Sequence, residues 1–330
     1  MAITLAEMKI GMADKVFDKV VDTFLRESEI LQLLPFDDCV SPSGGSTLTY
    51  SYLQKLLPST ASFRALNTEY TASQATLQKK SADLKIFGGK YSMDRVLNQA
   101  EGKWNNLAFQ IQEKIQAAVT LFHYTMINGN STTNTNEFDG LDKMVTGQST
   151  EFGATTKIDV STIALLKTNA DALYEALQKL IRETDATALL MNTSMIAKIQ
   201  TMARVLGYKT ESEEAFGRKI TSMDGIRFMD LKNHYTVASE TATAVPIVKS
   251  GITRTIGGTE ETGLTDIYAV KFDVNDGFHG VTLTGSSGLT QHLPNFSEPG
   301  AVHDGDVEMV AATVLKNTAH AGVLRNIKIA

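Results

Sequence analysis

Hydrophobic residues recur at steps of three and four between positions 93 and 126. Leu97, Ala100, Trp104, Leu107, Ile111, Ile115, Ala118, Phe122 and Met126 lie on one helical face. Polar residues such as Asn98, Lys103, Asn106, Gln110 and Glu113 fill most of the remaining circumference, which predicts a long helix buried along one side only. At about 1.5 Å per residue this stretch reaches roughly 50 Å. Gly102 leaves open a break, with a short helix over 92–100 and a long one from Lys103. The expected core residues of the helix are Leu97, Trp104, Leu107, Ile111, Ile115 and Phe122.

The same reading places the other elements. Residues 5–34 carry Met8, Met12, Val16, Val20, Phe24, Leu31 and Leu34 at helical spacing, closed by Pro35. This pattern fits either a core helix or an arm docked on a neighbouring copy. Strand texture begins after residues 41–45, with Thr47, Thr49, Tyr50, Tyr52 and Leu53, and returns at residues 82–87 ahead of Gly88 and Gly89. The stretch between, residues 54–81, has few large apolar side chains, and a structureless loop of that length is rare inside a compact domain. A projecting hairpin ordered by a partner is the expectation. A polar loop over 128–137 follows the long helix, then Phe138, Asp139, Gly140 and Leu141. Residues 160–181 read as a helix with Ile163, Leu166, Ala170, Leu173, Leu177 and Leu180 on one face. Residues 187–191 read as a short buried strand, and Asn192 opens a further helix that Gly207 caps. Beyond Lys209 short strands alternate with turns, one of them at Met223, Asp224 and Gly225.

Composition narrows the function classes. The 330 residues are 42% hydrophobic, enough for one large or two ordinary cores. With 31 basic and 37 acidic side chains the net charge is −6, which gives no electrostatic footprint for nucleic acid. A single cysteine, Cys39, excludes an internal disulfide framework and thiolate-rich zinc sites, and points to a reducing compartment. No basic leader and no run of apolar residues long enough for a membrane helix is present. The chain lacks the glycine-lysine phosphate loop, the dinucleotide fingerprint and the strained serine elbow. The histidines stand singly, without the i, i+4 pair of a metal helix. Asp304, Asp306 and Glu308 alternate as on one strand face, and Met309 stands where a calcium loop needs glycine. No acid/base pair, nucleophile or cofactor site is expected.

The order of elements resembles the major capsid proteins of tailed bacteriophages, the Hong Kong 97 capsid fold, over the whole chain. The local likeness is strongest at the helix ending in Met126-Ile127-Asn128-Gly129, at Phe138-Asp139-Gly140-Leu141, and in the C-terminal stretch from Val307 to Asn326, which includes Val323-Leu324-Arg325-Asn326.

That resemblance implies an α+β fold with an N-terminal arm over 1–41, an extended E-loop hairpin over 42–91 and a peripheral domain with a long spine helix over 92–150. A mixed α/β axial domain would span 151–288, and strands over 289–330 would return to the peripheral and axial domains. Asn128, Gly129, Phe138, Gly140 and Leu141 would form the turn after the spine helix, and Lys55, Arg64, Lys79 and Lys80 on the E-loop would make contacts between neighbouring copies. The prototype joins its copies through a lysine–asparagine bond, which is not carried over here. The prototype also has a long N-terminal scaffolding segment, whereas the arm here begins near Met1, so a separate scaffolding protein, or none, is expected. The implied role is a non-enzymatic building block of hexamers and pentamers in an icosahedral virion head, assembled in the host cytoplasm. Portal and decoration proteins are further partners, with packaged double-stranded DNA nearby only non-specifically and no membrane. An encapsulin-like nanocompartment shell, an α/β enzyme with an unrecognised site and a phage tail protein are the alternatives.

Overall fold

Long strand pairings between distant parts of the sequence set the frame of the chain. The computed structural model describes residues 30–40, 47–96, 106–207, 211–215, 218–283 and 289–330. Residues 5–29 of the helix predicted over 5–34, and Leu97, Ala100 and Trp104, lie outside them. In chain order the elements begin with α1 (Ile30–Leu33), β1 (Phe36–Asp38), β2 (Thr49–Leu57), β3 (Thr76–Asp83), β4 (Lys85–Asp94) and α2 (Asn106–Asn128). Then come α3 (Leu141–Val145), β5 (Glu151–Phe152), β6 (Ile158–Asp159), α4 (Ile163–Thr184), β7 (Ala188–Met191) and α5 (Thr193–Leu206). Next are β8 (Glu211–Ala215), β9 (Arg218–Met223), β10 (Ile226–Asp230), β11 (Asn233–Ala238), β12 (Thr241–Pro246) and β13 (Ile252–Ile256). The last are β14 (Thr259–Val270), β15 (Phe278–Thr282), β16 (Leu289–His292), β17 (Val302–Leu315) and β18 (Ala321–Lys328).

Two large sheets result. In the first, β17 is central: it pairs with β4 on one side and with β15 and β16 on the other, and β1 lies parallel to β15. The second runs β5-β18-β14-β7-β10-β9-β8, with β13 added to β14 and β6 to β18. The expected axial span 151–288 does not coincide with the sheets, because β15 at residues 278–282 belongs to the first. β7 is buried along its length, and its side chains alternate between two cores as a strand's two-residue period requires. Leu190 joins Phe122, Met126, Leu141, Val270 and Phe278 between the sheets, whereas Leu189 and Met191 join Leu173, Leu177, Met195 and Ile199 under α4 and α5.

Both helices of that second layer start and stop where short polar residues and glycine permit. Thr162 accepts a hydrogen bond from the Leu165 amide at the head of α4, and Asn192 accepts one from Met195 at the head of α5. Gly207, at φ 77°, ends α5 in the left-handed region.

The long helix departs from its expected start. Met93 and Asp94 are strand residues, since β4 stays in register with β17 from Lys85↔Ala311 to Asp94↔Val302. Gly88 lies inside that strand, where any β-carbon would collide with the backbone carbonyl of Val307. The described helix α2 has 23 residues, about 34 Å at 1.5 Å each, and ends two residues beyond Met126. Its burial is uneven: Phe122, Met126 and Ile127 are fully buried, whereas Leu107, Ile111 and Ile115 are only half-buried.

Candidate functional site

The β2–β3 hairpin is the part of the chain that its own core does not cover. The strands pair from Thr49↔Asp83 to Leu57↔Thr76, with a bulge near Lys55. Alternation assigns the two sides of β2 different tasks. Tyr50, Tyr52 and Gln54 face the body. The Tyr50 hydroxyl donates to Asp37 Oδ2 at 2.6 Å, the Tyr52 hydroxyl to the Leu315 carbonyl at 3.1 Å, and Gln54 Nε2 to the Lys316 carbonyl at 3.0 Å. Lys316 Nζ sits 5.3 Å from the Tyr50 ring centre, a cation–π contact. Partial burial works against ionisation of Asp37, yet the Tyr50 hydroxyl, the Asp38 amide and Lys316 hold its carboxyl below the usual range. The same burial and the Asp37 charge push the Tyr50 phenol up. A cleft of about 390 Å³ opens beside this root, lined by Tyr52, Lys80, Ala82, Phe138, Met144 and Leu315 among others.

The far side and tip are uncovered and carry several large apolar side chains among polar ones. Leu53 is 70% exposed, Leu66 88%, and Phe63 fully, with Leu56, Leu57, Tyr70 and Leu77 also exposed. Exposed apolar side chains grouped on one projection are a common feature of interaction surfaces. The loop over 58–75 still keeps a definite shape. Ser73 Oγ accepts from the Thr60 amide at 2.9 Å, and Arg64 donates to the Thr68 carbonyl at 3.2 Å with its guanidinium 5.3 Å from the Tyr70 ring centre. Lys55, Arg64, Lys79 and Lys80 are all exposed on this hairpin, so the structure gathers the expected contact residues on one element.

The second predicted group lies at the two ends of the 130–139 loop behind α2. Gly129 donates to the Thr125 carbonyl and Gly140 to the Gly129 carbonyl, both at 2.8 Å, and a β-carbon on either glycine would strike backbone. Asn128 Nδ2 reaches the Ile247 carbonyl at 2.8 Å. The Phe138 ring stands 5.7 Å from that of Phe122, and Leu141 is fully buried beside them.

The sequence did not disclose the charged centre that ties the C-terminal strand to the rest. Arg325 donates to Asp142 Oδ1 at 2.8 Å, Asp266 Oδ2 at 3.2 Å, Thr146 Oγ1 at 2.8 Å and Glu151 Oε1. Arg254 grips both Asp266 oxygens at 2.6 Å. A register shift between Thr265 and Ile267 aims Asp266 at this cluster, where it also accepts from the Asn326 amide at 3.1 Å. Burial alone would lower the Arg325 pKa, but Asp142, Asp266 and Glu151 raise it overall, so the guanidinium stays charged. Five elements, α3, β5, β13, β14 and β18, are fixed together by these contacts. The available sequence signal is a lone aspartate in the otherwise uncharged run 264–270.

Asp304, Asp306 and Glu308 lie along β17, and Asp304 pairs with Lys90 at 2.7 Å and accepts from Ser92 at 2.5 Å. Among the described residues no group of three or more His, Cys, Asp or Glu is arranged to hold a metal ion, and no helix is long and apolar enough to cross a membrane.

No family model and no curated protein sequence matches the chain. Solved structures do. The holo-SrpI encapsulin complex from Synechococcus elongatus PCC 7942 aligns at TM-score 0.63 and 13% identity, covering 100% of this chain and 97% of that one. The capsid of a native GTA particle aligns at TM-score 0.61 and 10% identity, covering 99% of each chain. A structure of Mycobacterium phage Adephagia aligns at TM-score 0.58 and 10% identity, over 100% and 99%. At such identities the likeness is one of fold, and it takes in the hairpin, the long helix and both sheets. This α+β chain has the Hong Kong 97-type capsid fold.

Proposed function

We propose that this chain, with its capsid-type fold, is the major capsid protein of a tailed bacteriophage, forming hexamers and pentamers of an icosahedral head around double-stranded DNA. The observation that carries this reading is the hairpin: a chain with the fold of shell proteins projects large apolar side chains from an element its own core leaves bare. In this reading β2 and β3 are the E-loop, and Lys55, Arg64, Lys79 and Lys80 contact the next copy. The first sheet with α2 is the peripheral domain, and the second sheet with α4 and α5 is the axial domain. The turn at Asn128, Gly129, Phe138, Gly140 and Leu141 holds the spine helix against that frame. Residues 1–41 act as the arm, whose last strand, β1, joins the first sheet beside β15. The chain works by contact and not by catalysis, with scaffolding, portal and decoration proteins as its partners and the virion as its place.

Replacement of residues 58–75 by a short Gly-Ser turn tests the hairpin's part. The truncated chain is expected to keep its circular-dichroism spectrum and cooperative unfolding while failing to close shells in electron micrographs. Normal shells from that variant would remove the hairpin from assembly. A nanocompartment is the second reading, favoured by the full-length likeness to the encapsulin. Particle contents separate the two, since a phage head carries genome and a nanocompartment carries protein cargo.

A further inference from the structure

A second ribbon projects from the molecule, and it differs chemically from the first. β11 and β12 pair in unbroken register from Asn233↔Pro246 to Ala238↔Thr241 and form a sheet of their own among the described residues. The root rests on α2, where the Tyr124 and His234 rings stand 5.4 Å apart. From Thr236 to Ala244 every residue is exposed, and Glu240 at the tip is the one charged residue among them. Ser239 and Glu240 close the turn at φ 47° and 65°, a left-handed pair that non-glycine residues adopt at some cost.

A two-stranded ribbon is marginal in water by itself, and natural edge strands are protected by lysine, proline or bulges. This exposed segment has none of these. Its threonine, valine and alanine side chains favour extended backbone and present no charge that a partner must match. We propose that the outer edge of β12 adds to a strand of a second copy of this chain, so that a sheet continues across the boundary between copies. The proposal rests on the shell reading, in which each copy is surrounded by identical copies.

The hairpin geometry supplies a selective test. A two-residue turn makes Ala238↔Thr241 the hydrogen-bonded pair, so the amides of Ala242 and Ala244 point away from β11. Proline at both positions removes the outer donors and leaves the inner ladder intact. In wild-type shells the Ala242 and Ala244 amides are expected to exchange roughly tenfold or more slowly than in dissociated protein. Ala242→Pro/Ala244→Pro is expected to unfold at the wild-type temperature yet to stall before closed shells. Shells whose Ala242 and Ala244 amides exchange freely, or double-proline protein that assembles normally, would overturn the ribbon pairing while leaving the shell reading standing. Wild-type protein that never associates would remove both.

Discussion

At the scale of single residues the clearest consequence concerns His123. Its ring is fully buried and neither nitrogen has a hydrogen-bond partner, so desolvation drops its pKa to about 4. The unfolded chain protonates this histidine near pH 6.5 and the folded one near pH 4, so between these values the unfolded state binds more protons. Stability is therefore fully present above about pH 6.5 and falls as the pH drops toward 4, by at most about 3 kcal/mol. His123→Leu is expected to flatten that part of the profile in urea unfolding at about pH 7.5, 5.5 and 4.5. An unchanged slope would mean the ring is hydrated. The lowered carboxylates Asp37, Asp139 and Asp159 act in a more acidic window, as the pH falls below the usual carboxylate value. Residue roles of this kind were partly legible. Gly129 and Gly140 stood in a recognisable turn, whereas Arg325 meets Asp142, Glu151 and Asp266 only because the strands bring distant residues together.

Among elements, local chemistry announced some boundaries and concealed others. The apolar stripe and the polar caps predicted α4 and α5 because both signals lie within one turn of the residues they govern. The path of β4 through Gly88 and on to Asp94 is decided by β17, some two hundred residues away, and no local pattern carries it. In α2 the period was right and the depth was not, since periodicity says that a face is covered without saying by what. Phe122, packed among Phe36, Phe87 and Phe138, is expected to cost about 3–5 kcal/mol when changed to alanine. The same change at Ile115, which is half-buried, is expected to cost only about 1 kcal/mol in dissociated protein. Chemical denaturation of both variants checks the ranking, and equal losses would show that the first half of the helix is as well packed as the second.

For the whole molecule, the fold and the projecting β2–β3 hairpin could be read from the order and composition of the elements, while the β11–β12 ribbon needed the structure. Two ribbons leave the body in contrasting chemistry: β2–β3 bears large apolar groups, and β11–β12 is small, β-rich and nearly uncharged. The chain's own core leaves the outer parts of both uncovered, and in the proposed shell neighbouring copies would cover them. Cryo-electron microscopy of the assembled protein, prepared with any scaffolding partner it requires, tests this most directly. The account predicts closed icosahedral shells of hexamers and pentamers, with the β2–β3 hairpin of each copy lying over its neighbour. A protein that remains a monomer or small oligomer under those conditions, its hairpin exposed to solvent, would contradict it.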